Sequence, residues 1–316
     1  METLNVWQTI FRFSAVEAGD ADPLASTVNK GYFAGMMQRV QNGRFDFDMG
    51  AFDLDGTVLR RDLSVTEATV NALRALKARG MRLVVATGRR FEGACEHAER
   101  LGFEDEDPLI CYGGSMIRRM NGETLLHHTL SKDVSVEVLE WAAERRLHAR
   151  VFTDGKILVS PDTPASTRYI SDKEIDVEVV ESPAAWLLNG GENPTKLVIV
   201  DRPEGIPDWL GEAQRTFSGR LFVTRSLPHY VEVGGLKGTK SEALRFLCDR
   251  WGIEPTRTLA FGDADNDIDM LSFAGLGVAV RGMTEEVRAA ADAVAPPVSE
   301  DGVASFIRGL LGEEVL

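Results

Sequence analysis

A chain of 316 residues is long for one domain and comfortable for two, and 44% hydrophobic with 27% charged residues can bury a core without disulfide staples. Its net charge of -14 repels a phosphodiester backbone, and Arg118-Arg119 and Arg145-Arg146 are isolated pairs, so no nucleic-acid partner is expected. No apolar run approaches the roughly 20 residues of a bilayer span, and Cys95, Cys111 and Cys248 lack C-x-x-C spacing, which reads as buried reduced thiols of a cytoplasmic protein.

Residues 1–48 mix Gly, Asp, Asn and Ser without sustained periodicity. Glu2 stands where a signal peptide carries cations, and Gln8 and Arg12 break the apolar stretch, so the segment reads as neither signal nor transit peptide. It is expected to be an extension, either mobile or docked through Trp7, Phe11, Phe13, Tyr32 and Phe33. At Met49 an apolar strand begins, running through Ala51-Phe52-Asp53-Leu54. Ser64-Val65-Thr66-Glu67 fits a capping box; Val70, Leu73 and Leu76 follow at helical spacing, and Gly80 stands at the stop. Arg82–Ala86 and Leu109–Tyr112 read as further buried strands, and the alternation with helices predicts a parallel sheet.

From about 128 to 234 the character changes. Short β-rich pieces (Ala149–Phe152, Ile157–Val159, Lys196–Val200, Leu221–Val223, Tyr230–Val233) are joined by helical stretches. The α/β pattern then returns: Ala243, Leu244, Leu247, Cys248 and Trp251 mark a helix face, Gly252 stops it, and Thr258–Phe261 and Gly277–Val280 are strands. The expected organisation is an α/β core of 49–127 and 235–316 with an inserted α+β domain at 128–234.

Four clusters carry chemistry. Asp53-Leu54-Asp55-Gly56-Thr57 closes the first strand at its carboxyl end, where open α/β sheets bind ligands. Two carboxylates at i and i+2 point the same way and need a cation or a shared proton; a solvated turn is the bland alternative. Gly262-Asp263-Ala264-Asp265-Asn266-Asp267 follows another strand. An EF-hand loop counted from Asp263 would want Gly and Glu where Ile268 and Ala274 stand, so calcium of that kind is excluded. Ala86-Thr87-Gly88-Arg89 offers a hydroxyl and backbone N–H groups suited to phosphate, or a plain helix cap. Lys240 opens a helix in Gly238-Thr239-Lys240-Ser241. The stretch from Gly234 to Ser241 nearly matches GxxxxGK[ST], but Thr239 replaces the glycine that lets the backbone wrap phosphates. His127-His128 reads as a solvated pair without a third ligand.

Taken in order, DLDGT, Thr87, Lys240 and GDADND resemble the motifs of the haloacid dehalogenase superfamily, in particular its Cof-like branch with a type IIB cap, over residues 49–316. Lys240-Ser241-Glu242-Ala243-Leu244 resembles that family's KGxAL stretch, with Ser241 in place of a glycine. Gly113-Gly114-Ser115 and Arg281-Gly282-Met283 also depart from the common pattern. The resemblance implies a Rossmann-like, doubly wound parallel sheet with an inserted α+β cap of type C2B. It implies a magnesium-dependent phosphatase of small phosphorylated metabolites, sugar phosphates foremost. Asp53 would be the nucleophile and Asp55 the acid and base. Asp53, Asp263 and the Asp55 backbone carbonyl would hold Mg2+. Thr87, Gly88, Lys240 and Asn266 would bind the phosphoryl oxygens, with Asp267 behind them. A phosphotransferase or mutase could share the aspartyl phosphate. An NTPase built on the near P-loop and a non-catalytic binding protein are the remaining rivals.

Overall fold

The computed structural model describes residues 46–161, 177–202, 204–227 and 229–312. The extension expected at 1–48 therefore lies outside the described residues except for its last three positions. Those belong to the body: Phe47 is buried, and the Asp48 backbone bonds to both Arg82 and Arg257.

In chain order the elements are β1 (Met49–Phe52), α1 (Glu67–Ala78), β2 (Arg82–Ala86), α2 (Phe91–Arg100), β3 (Pro108–Cys111), β4 (Met116–Arg119) and β5 (Thr124–His127). There follow α3 (Lys132–Glu144), β6 (His148–Phe152), β7 (Ile157–Val159), β8 (Val177–Val179), α4 (Pro183–Leu188), β9 (Lys196–Val200), α5 (Ile206–Thr216), β10 (Leu221–Leu227) and β11 (Tyr230–Gly235). The chain closes with α6 (Lys240–Trp251), β12 (Thr258–Gly262), α7 (Ile268–Phe273), β13 (Leu276–Val280), α8 (Glu285–Ala290), β14 (Ala293–Ala295) and α9 (Gly302–Leu310). Contacts divide it into two units. Among the described residues, one holds those up to Thr87, Glu96–Pro108 and those from Leu244 onward; the other holds Gly88–Cys95 and those between Leu109 and Ala243.

In the first unit, strands run in the order β14-β13-β12-β1-β2, all parallel. Every residue of β1, β12 and β13 is buried, which is why these strands read as continuous apolar runs rather than alternating ones. Phe52 stacks on Phe261 at 5.3 Å, and Phe306 of α9 meets Phe261 edge-on at 5.6 Å. Such pairs add about 0.5–1.5 kcal/mol beyond burial. Helix α1 ends as its glycine predicts: Gly80, at φ 85°, and Met81 donate to Lys77 and Leu76 carbonyls. Its start differs from the expected capping box. Thr66 is the cap, accepting from the Thr69 N–H, and the Ser64 hydroxyl donates to Asp62 at 2.6 Å.

The second unit is built on a six-stranded sheet in the order β10-β11-β9-β6-β7-β8, antiparallel except for β7–β8. Alternate residues Val151, Leu197, Ile199, Val231 and Val233 join one core with α3, α4 and α5, where Trp141 meets Trp209 and Phe217 edge-on. The other set (Arg150, Phe152, Lys196, Glu232) points from the opposite face, as strand periodicity requires. This is the mixed α/β architecture, a parallel-sheet core with an inserted α+β domain, that the alternation of elements predicts.

No disulfide joins Cys95, Cys111 and Cys248; burial pushes the Cys248 thiol up to about 11 and the Cys111 thiol higher, whereas Cys95, expected to be buried, is only half-buried. Among the described residues no helix is long and apolar enough to cross a membrane.

Candidate active site

Parallel strands β1, β2 and β12 lie side by side in register, so their carboxyl ends fall level. Phe52 is opposite both Val85 and Phe261. One position further along β1 is Asp53; two positions further along its neighbours are Thr87, just past β2, and Asp263, just past β12. The Asp53 N–H extends the ladder to the Phe261 carbonyl at 3.0 Å, which fixes its backbone, and the residue is 6% exposed.

After Asp53 the chain folds tightly. The Leu54 carbonyl accepts from the N–H groups of Thr57, Val58 and Leu59, and the Gly56 N–H returns to the Leu59 carbonyl at 3.1 Å. Gly56 sits at φ 88°, and a Cβ there would lie 2.3 Å from Asp263 Oδ2. The glycine of the first motif therefore serves both the turn and the carboxylate beside it. Thr57 Oγ1 donates to Asp263 Oδ1 at 2.9 Å, so the last residue of that motif aims the acid of the fourth. Thr57 closes the DLDGT run, and nothing else in the sequence marks it for this role. Gly56→Ala is expected to cost about 1–2 kcal/mol for the left-handed backbone and to displace Asp263. A melting temperature lower by several degrees together with reduced turnover would be the result; unchanged values of both would show that the turn tolerates a side chain.

The loop after β12 is organised by Asp267, which is fully buried. Its Oδ2 accepts from the Asp263 and Ala264 N–H groups, both at 3.0 Å. A Cβ on Gly262 would meet the Asp267 side chain at 2.5 Å, so a glycine is needed for that close approach. Asn266 is half-buried within the single 3-10 turn Asp265–Asp267. Asp53, Asp263 and Asp267 each bring a carboxylate oxygen within 4.8 Å of the others. Carboxylates this close repel unless a cation or proton compensates. The donor set is all oxygen and fits a hard divalent ion that also takes phosphate oxygens. Asp55 is half-buried, pairs across the turn with Leu59 and is outside this carboxylate cluster; the resemblance gives it a metal contact through its carbonyl instead. Thr87 is 1% exposed.

In the other unit, the Gly88 carbonyl accepts from Lys196 Nζ at 2.7 Å. Lys240 is the first residue of α6 and is 1% exposed. Thr239 precedes it and caps the helix, its Oγ1 accepting from the Glu242 N–H at 3.3 Å. The near P-loop dissolves here: Gly234 and Gly235 pair with Phe222 and Leu221 in the β10–β11 ladder, so they are strand, not a loop that could wrap phosphates. His127 is not a solvated histidine either. Its Nε2 shares a hydrogen bond with Thr195 Oγ1 at 2.9 Å, and burial lowers its pKa.

A family profile described as haloacid dehalogenase-like hydrolase matches residues 51–307. Phosphatase YwpJ of Bacillus subtilis is 29% identical over 291 residues, covering 83% of this chain and 99% of that protein. Phosphoglycolate phosphatase of Methanopyrus kandleri is 30% identical over 261 residues, covering 83% and 96%. Among solved structures, the haloacid dehalogenase subclass IIB sugar phosphatase BT4131 superposes with a TM-score of 0.69 at 22% identity, covering 83% and 98%; at that identity it speaks for the fold alone. The chain belongs to the haloacid dehalogenase-like hydrolases, and within them it is a phosphatase.

Proposed function

We propose that this phosphatase hydrolyses phosphomonoesters of small metabolites with magnesium, through an aspartyl phosphate on Asp53, in the cytoplasm. The observation that carries the reading is the convergence of Asp53, Asp263 and Asp267 beside the carboxyl ends of adjoining parallel strands. Among metabolites, sugar phosphates lead: BT4131, which shares the fold, is named a sugar phosphatase, and the Methanopyrus relative is named for a small phosphorylated acid.

An Asp53 carboxylate oxygen would attack phosphorus in line as the bond to the ester oxygen breaks. Asp55 would give its proton to that leaving oxygen. It would then take one from the water that attacks the phosphorus of the intermediate, freeing phosphate and regenerating Asp53. Asp53, Asp263 and the Asp55 carbonyl would hold Mg2+, which supplies the positive charge that lets an anionic nucleophile approach an anionic phosphate. The Thr87 hydroxyl, the Gly88 N–H, Lys240 and the Asn266 amide would bind the phosphoryl oxygens, where negative charge is spread in the transition state. Asp267 would keep the Asp263 loop in place through the two N–H groups it accepts. Core residues 49–127 and 235–316 would carry the chemistry, and the insertion at 128–234 the choice of leaving group.

A phosphate-release screen over a panel of phosphorylated metabolites tests this. Release from a sugar phosphate that is lost with a chelator and restored by magnesium is the expected result. Silence toward every monoester, or ATP turnover that needs Lys240 but not Asp53, would contradict it.

A further inference from the structure

We infer that Lys196 and Glu232 form a positioning device for the phosphate-binding turn at Thr87-Gly88; this rests on the phosphatase reading of that turn. Glu232 of β11 stands opposite Val198, and Lys196 lies two residues before Val198 on β9, so the two are diagonal neighbours on the sheet face away from the helices. Lys196 is 4% exposed and Glu232 14%. The ammonium donates to Glu232 Oε2 at 2.9 Å and to the Gly88 carbonyl at 2.7 Å, and it lies 5.4 Å from the Phe152 ring centroid. A buried cation so engaged has an ion-pair partner, an aromatic face and one backbone carbonyl; its action on substrate would be through that carbonyl.

Glu232 also shapes the turn. A Cβ on Gly88 would come within 2.8 Å of Glu232 Oε1, and one on Gly113 within 3.2 Å of Oε2. The carboxylate thus fills the space in front of two glycines. This gives a physical reason for Gly113, one of the departures from the family pattern: at φ 71° the position is left-handed, and the space a side chain would take is occupied. A second tie secures the next peptide, where the Tyr112 N–H donates to the Arg89 carbonyl at 2.8 Å. Tyr112 itself has φ 53° and is buried, and its hydroxyl donates to the Thr153 carbonyl at 3.3 Å. The carbonyls of Gly88 and Arg89 are therefore both held from within the same unit. Fixing them fixes the two peptide planes that follow Gly88, and so restricts the backbone rotation at Gly88 that aims its own N–H, the group that would meet the phosphoryl oxygens. Misplacement of such a donor by about 1 Å can cost on the order of 100-fold in rate.

Lys196→Met, Lys196→Arg and Glu232→Gln, made in the full chain, test this. Turnover is measured with an aryl and a sugar phosphate ester, and amide hydrogen exchange over residues 87–92 and 110–114. Lys196→Met is expected to lower kcat on the order of 100-fold, by the same factor for both esters, because the held turn serves the phosphoryl group they share. KM should move less than kcat, and exchange at 87–92 should quicken. Lys196→Arg should recover part of kcat. Glu232→Gln, which keeps an acceptor for the ammonium, should lose less than Lys196→Met, and the double variant no more than the worse single one. A loss that differs between the esters would overturn the proposal by making Lys196 a leaving-group contact. A lowered melting temperature with kcat and exchange unchanged would overturn it as a purely structural pair. Wild-type protein inactive on every monoester would sink the phosphatase reading instead, and the exchange comparison alone would then decide whether Lys196 holds the turn.

Discussion

Asp53→Asn is expected to lower turnover by on the order of 10,000-fold or more, the scale seen when a covalent nucleophile is removed, with the fold left intact. The amide keeps the carboxylate's shape, and the bond that fixes the residue, from its own N–H to the Phe261 carbonyl, is a backbone one. Of three carboxylates with oxygens within 4.8 Å of one another, one would lose its charge. Their mutual repulsion would fall, so the melting temperature of the metal-free protein should hold or rise. An amide oxygen is a poor nucleophile toward phosphorus, and no neighbouring residue takes the same place at the end of β1. Turnover near the wild-type rate in Asp53→Asn would remove the nucleophile assignment, whatever the metal dependence.

Asp55→Asn is expected to slow both half-reactions, but unevenly across substrates. The proposed role is acid first and base second. An alkyl or sugar leaving oxygen needs its proton, so the phosphorylation step should fall steeply with such esters. An activated aryl oxygen leaves without much protonation, so that step should survive better. Hydrolysis of the intermediate needs a base in either case. With the aryl ester the variant should therefore release a burst of aryl alcohol and then stall. Rapid-quench measurement with both esters reads this directly. Equal losses in the phosphorylation step would assign Asp55 to geometry or metal alone.

Much of this was legible in the linear chain, for reasons that have names. Strands β1, β2 and β12 are buried almost throughout, so they appear as short apolar runs, and the polar residues that follow each run mark the sheet edge where ligands bind. The acids after β1 and β12 and the threonine after β2 declared themselves in that way. Other features depend on pairing that linear order does not carry. Asp267 reads from the sequence as a supporting acid, but only the fold reveals that it is wholly buried and grips the backbone of Asp263 and Ala264.

Lys196 and Glu232 are separated by dozens of residues and meet only because β9 and β11 pair antiparallel. The hairpin β4–β5 turns through Asn121-Gly122, with Gly122 at φ 91°, and the alternation in its flanks is weak because the strands are short. Ser64 reads as a helix cap because Glu67 follows it three residues on; in the fold its hydroxyl donates to Asp62 and Thr66 is the cap. The near P-loop failed in the structure for a reason its sequence only half disclosed, since two of its glycines are ladder residues of β11.

A phosphoryl group carried on Asp53 is most directly seen in the Asp55→Asn variant. Mixed with an aryl phosphate and magnesium, quenched in acid during the stall and reduced with borohydride, the protein is digested and the peptide spanning β1 is sequenced by mass spectrometry. Conversion of the residue at position 53, in proportion to the aryl alcohol released, is the predicted result. Release of aryl alcohol with residue 53 unmodified, or with the label on another side chain, would contradict it.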